Sequence, residues 1–163
     1  MSIRNVIAFA IGMGAILPVY AGVTVTDVWI KTTAPGQTTA AAYLKIKSDA
    51  AAKLIGASSP IAKIVQIHEM KVQDNVMHMR SIDSLDLPAG KTVELKPGNY
   101  HIMLENIAKP LKQGAMVPLT LTIEGADKQR QSVKVTAQVR ATAGMEKHDD
   151  MKDMGDMKGM KGM

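Results

Sequence analysis

Four residues of this chain combine two imidazoles with two thioethers: His68, Met79, His101 and Met103. Ten residues separate the first two, twenty-one lie between Met79 and His101, and one lies between His101 and Met103. Neutral imidazole and thioether make a soft, uncharged donor set, which suits Cu(I) and little else that proteins bind. A second donor array follows at the far end, in GMEKHDDMKDMGDMKGMKGM. It carries Met145, Met151, Met154, Met157, Met160 and Met163, together with His148. Both arrays point to reversible binding of a soft metal rather than to bond making.

The residue types that are missing narrow the chemistry. There is no cysteine among the 163 residues, so disulfide bracing and lipidation at a cysteine are excluded within them. A blue-copper electron-transfer centre needs a cysteine thiolate, and that role goes too. Thioethers neither pair into disulfides nor need deprotonation before they bind metal, which makes them sensible soft ligands in an oxidising compartment. All four histidines sit in metal-like settings, leaving no spare base beside a nucleophile. A carrier is expected, not an enzyme.

Elements must bring these donors together, and the body reads as short strands divided by turn signals. Strands are expected at 23–32, 41–48, 53–57, 61–70, 76–81, 92–95, 100–105, 117–124 and 131–139. The turns between them are Pro35-Gly36, Asp74-Asn75, Pro88-Ala89-Gly90, Pro97-Gly98 and Gly125-Ala126-Asp127. This pattern predicts an all-β sandwich or barrel. Alternation puts Tyr100, Ile102 and Leu104 on an apolar face and His101 with Met103 on the opposite, outward one. Upstream, His68 and Met79 flank a hairpin. A four-residue loop sets His68 opposite Met79, whereas a two-residue loop at Asp74-Asn75 sets Met70 opposite Met79 and moves His68 one pair along. Both registers leave His68, Met70, Met77 and Met79 on one face and His78 on the other. Met70 is thus a possible auxiliary ligand, Met77 and His78 read as structural or surface residues, and Met116 reads as packing. With the single phenylalanine at Phe9, Leu, Ile, Val and Trp29 are expected to fill the core.

Residues 1–21 read as a signal peptide. Arg4 is their only charge, residues 6–17 are apolar, and Val19-Tyr20-Ala21 offers a cleavage signal near Ala21. The apolar run is short for a membrane span, so no stable membrane insertion is expected after cleavage; a retained anchor helix is the alternative. Residues 22–143 form the expected β-domain. From 144 to 163 the chain has no branched aliphatic residue and reads as disordered. Methionine at every third position there could line one side of a polyproline-II-like chain and share Cu(I). His148 with Asp149 and Asp150 offers harder donors for Cu(II). The formal net charge of +5 comes without clustered arginines or interleaved aromatics, so nucleic acid is not expected as a partner.

The spacing His68, ten residues, Met79, twenty-one residues, His101, one residue, Met103 resembles the ligand motif of the periplasmic copper chaperone family usually called PCuAC. The likeness extends to APGQTTAAAYLKI, IHEMKVQDNVMHMR and LPAGKTVELKPGNYHIML. It implies a cupredoxin-like Greek-key β-sandwich with an accessible Cu(I) site, and His68, Met79, His101 and Met103 as its ligands. It also implies delivery of copper to the binuclear copper centre of a cytochrome c oxidase subunit, directly or through a thiol-containing assembly factor. One departure is Glu69, where some members carry methionine. Copper storage or tolerance is a second reading, and an exported β-sandwich interaction module without metal is a third.

Overall fold

Alternating aliphatic and polar residues fold into ten strands in the computed structural model, which describes residues 22–141. These are β1 (Val23–Lys31), β2 (Thr39–Ser48), β3 (Ala52–Ser58), β4 (Ile64–Gln73), β5 (Val76–Ile82), β6 (Leu85–Leu87), β7 (Thr92–Leu95), β8 (His101–Glu105), β9 (Met116–Gly125) and β10 (Arg130–Arg140). The expected signal peptide and the methionine-rich tail lie outside the described residues. Each of the five expected turns is present. Strand β6 was not anticipated, because Leu-Asp-Leu is too short to establish a period. Among the described residues no helix is long and apolar enough to cross a membrane.

Hydrogen bonds link the strands in the order β5-β4-β8-β2-β1-β10-β9-β3-β6, with β7 also paired to β2. Among the described residues only the β1–β10 pair is parallel. Strands far apart on this path nevertheless touch, β3 against β4 and β6 against β2. The strip therefore folds over on itself, and the fold is the all-β sandwich the sequence predicts. Its core holds Ile30, Leu44, Ile46, Leu54, Ile102, Leu104, Leu119 and Leu121, all essentially inaccessible to solvent.

Trp29 departs from expectation. It is only partly buried and does not join the core cluster. The cause is a β-bulge between Thr26 and Trp29, where the register with β2 shifts and Asp27 adopts a φ of 49°. Before the bulge Val25 faces the core; after it Val28 and Ile30 do. An extra residue reverses the parity of a strand, so Trp29 turns to the outer face and stacks on Tyr43, with ring centroids 4.5 Å apart. Met116 also differs from its expected packing role: at the start of β9 it is exposed.

Candidate metal centre

His68 on β4 and His101 on β8 stand directly opposite each other, and their rings meet edge to face with centroids 5.5 Å apart. Parity explains why both point away from the core. Ile67, Ile102 and Leu104 face inward and are buried, so the alternate residues His68, His101 and Met103 occupy the outer face. A one-residue slip would exchange the faces. It would expose Ile102 and Leu104, each worth about 1.5–3 kcal/mol when buried, so this register is strongly held.

The hairpin takes the two-residue loop. Asp74 and Asn75 have φ of 53° and 60°, the left-handed pair of a type I′ turn, whose twist matches the strands it joins. Met70 therefore pairs with Met79, His68 with Ser81 and Met77 with Val72. Across β8, Gln66 pairs with Met103. The four motif residues thus share one outer face. Met79 lies one diagonal step from His68 on the turn side, and Met103 one step away on the other side. Diagonal neighbours of this kind are about 7–8 Å apart, within reach of long side chains. Met70, opposite Met79, shares the face. His78 pairs with Lys71 on the reverse face and is exposed, as is Met77.

Exposure is graded across this group. His101 is 3% and His68 7% exposed, whereas Met79 on the edge strand β5 is 51% exposed. The histidines are more enclosed than an accessible site predicts. They belong to a lateral row that continues from His101 to the Tyr43 ring, 6.4 Å away, and on to Trp29.

Hydrogen bonds orient both rings. Nε2 of His68 lies 3.3 Å from Oε1 of Gln66, and Nδ1 of His101 lies 3.4 Å from the Asn99 carbonyl. Assigned from these partners, the Nε2–H of His68 donates to Gln66, and its Nδ1 keeps a bare lone pair. The Nδ1–H of His101 donates to Asn99, which leaves Nε2 as its free donor atom. Such outer partners fix the tautomer of metal-binding histidines. Nδ1 of His68 is buried and has no hydrogen-bond partner among the described residues. An orphaned buried polar atom costs about 1–3 kcal/mol, a cost that a soft ion would offset. Burial holds the His101 imidazole below the usual histidine range; the Asn99 carbonyl opposes this and the neighbouring His68 adds to it. His101 is therefore neutral at pH 7, the form that binds metal. Among the described residues no group of three or more His, Asp or Glu side chains converges on one point.

Glu69 faces the other way. It pairs across the sheet with Arg80 on β5, and its carboxylate accepts from Arg80 and from the Tyr100 hydroxyl. Sequence reasoning missed Gln66, Asn99 and Tyr43. Gln66 was within reach of it, since it lies two residues before His68 and so on its side of β4; Asn99 acts through its backbone carbonyl in the turn before β8, which side-chain type does not reveal. Tyr43 carried no local signal, because only the β2–β8 pairing brings it close.

A family model of the LpqE-like lipoproteins matches residues 23–139, essentially the whole described sandwich. The chain belongs to the LpqE-like family. A protein of Leifsonia xyli subsp. xyli, itself named as a lipoprotein, is 35% identical over 101 residues, and the match spans 61% of each chain. Among solved structures, the copper-bound PCuAC domain from PmoF2 is 26% identical with a TM-score of 0.60, covering 75% of this chain and 96% of that domain. The copper(I) form of DR1885 from Deinococcus radiodurans is 26% identical with a TM-score of 0.53, covering 80% of this chain and 85% of that one. This member of the LpqE-like family shares the PCuAC sheet fold. No cysteine occurs among the 163 residues.

Proposed function

We propose that this LpqE-like protein is an exported Cu(I) carrier whose core ligands are His68, Met79, His101 and Met103, with Met70 as an auxiliary thioether. The observation that carries this reading is the unpartnered, buried Nδ1 of His68 beside the neutral imidazole of His101, on a face flanked by methionines. Similarity to PCuAC domains with bound copper supports it. Cu(I) is d¹⁰ and tolerates low, flexible coordination, so a recipient's donor can enter before a host donor leaves. Met79, exposed and on an edge strand, is the ligand best placed to be replaced. The recipient in this reading is the binuclear copper centre of a cytochrome c oxidase subunit, or a thiol-containing assembly factor that serves it. Residues 1–21 direct export and are removed near Ala21; residues 22–143 form the carrier domain. Within 144–163, Met145, His148, Met151, Met154, Met157, Met160 and Met163 provide a second site for Cu(I) or Cu(II). The protein performs no catalysis.

Competitive Cu(I) titration against a chromophoric chelator tests the core site. One tight equivalent that disappears in His101→Ala and in Met103→Ala supports it, and unchanged binding in both variants refutes it. The number of methionines near the C-terminus favours storage as a second reading. Loss of oxidase activity in a deletion strain marks the chaperone, and loss of copper tolerance alone marks the store.

A further inference from the structure

Behind the outer methionines, on the reverse face of the same strands, lies a row of linked polar groups. Glu69 stands between His68 and Met70 on β4. Arg80 stands between Met79 and Ser81 on β5, directly opposite it. The Arg80 guanidinium donates to Glu69 Oε2 from Nε at 2.9 Å and from a terminal nitrogen at 2.8 Å. On the other side the Tyr100 hydroxyl, one residue before His101, donates to Oε1 at 3.3 Å. Lys71 Nζ lies 3.0 Å from the same oxygen. The Glu69 side chain is 7% exposed although both cations reach solvent. One enclosed carboxylate therefore bridges the strand bearing His68, the strand bearing Met79 and the entry to the strand bearing His101 and Met103.

The need for such a bridge follows from the topology. His68, His101 and Met103 stand on strands paired along both edges, whereas β5 ends the sheet and pairs with β4 alone. Met79 is the one core ligand whose strand has a free edge, and the hairpin tip beyond it exposes Val72, Val76 and Met77. Backbone pairing by itself leaves such an edge able to fray. A charge-assisted contact by two nitrogens, one residue beyond Met79, resists that motion in a defined geometry.

We infer that the Arg80–Glu69–Tyr100 row is a positioning device that holds Met79 against the histidine pair and so sets how fast Cu(I) leaves. The inference rests on the Cu(I) reading of the core site. Arg80 and Glu69 touch no metal; they act through the strand that carries Met79. Release involves no electron transfer: the Cu–S bond to Met79 breaks as a bond from an incoming donor forms.

The test uses the full chain loaded with one equivalent of Cu(I), with bathocuproine disulfonate as acceptor. Methyl resonances of ¹³C-labelled methionine report on Met79 and Met103, and imidazole resonances report on the two histidines. Glu69→Gln, which keeps the side-chain shape, and Arg80→Met are each expected to speed release roughly 10-fold. In both, the Met79 methyl should move toward its metal-free position while His68 and His101 keep copper-bound shifts. Arg80→Lys, retaining the charge but not the fork, should fall between these variants and the wild type. Asp86→Asn, which breaks the exposed Lys53–Asp86 pair, should leave release unchanged. Wild-type release and an unmoved Met79 signal in folded Glu69→Gln overturn the inference. So does equal acceleration in Asp86→Asn, or loss of both histidine signals together with Met79, since either marks general loosening. If His101→Ala still holds one tight Cu(I), the core-site reading itself fails, and the clamp falls with it.

Discussion

At the scale of single residues, the centre is organised by what each imidazole nitrogen can find. Gln66 takes one nitrogen of His68, and among the described residues nothing takes the other. Asn99 offers its carbonyl to His101 in the same way. A partner that fixes a ligand's tautomer is worth roughly 10- to 100-fold in metal affinity. Gln66→Ala should therefore weaken Cu(I) binding by about 10-fold while leaving the apo-protein's melting temperature nearly unchanged, because Gln66 is exposed. Chelator competition and a thermal melt on the same preparation check both halves. Motif spacing picks out the four proposed donors but says nothing of these partners. A ligand is recognised by its type, whereas a partner is recognised only by where it lies.

At the scale of the element, two hairpins carry distinct predictions. The β4–β5 turn needs a positive φ at Asp74 and Asn75, a conformation Asn and Asp tolerate and β-branched residues resist. Asn75→Val should cost about 1–3 kcal/mol, measured by urea unfolding, and should weaken Cu(I) binding as the register that pairs Met70 with Met79 loosens. The β9–β10 hairpin supplies the pH prediction. Glu124 is held below the usual carboxylate value by Lys128 first and by Arg130 second, burial opposing them. A carboxyl with a lowered folded-state pKa contributes stability that is fully present above its unfolded value, about 4.5. That stability is lost as pH falls through the folded-state value. The wild type should therefore lose stability more steeply below pH 4.5 than Glu124→Gln does, and the two should run parallel between pH 6 and pH 8; urea midpoints across pH decide it. The turns were legible in the sequence because each announces itself in two or three adjacent residues. The loop length at 72–75 was not, since both alternatives kept the same side chains on the same face.

At the scale of the whole molecule, the sandwich brings distant segments onto one row. The last described strand, β10, has Gln138 beside Trp29, and Trp29 pairs with Tyr43, which neighbours His101. Gln138 thus lies level with the histidines and three strands from His101, about 14 Å at the usual strand spacing. Deleting 145–163 should lower the number of Cu(I) bound per chain without changing the affinity of the last site to empty; copper analysis after dialysis against graded chelator measures both. The residues and their order determined the soft donor set, the exclusion of thiolate chemistry, the strand alternation and the turns, because these depend on side-chain type and on neighbours along the chain. Tertiary structure alone decided that the histidines are enclosed while Met79 is open, that Trp29 leaves the core, and that Glu69 is joined by Arg80 and Tyr100. Each of those depends on a bulge, a register or an edge. Those are properties of paired strands, absent from any one of them.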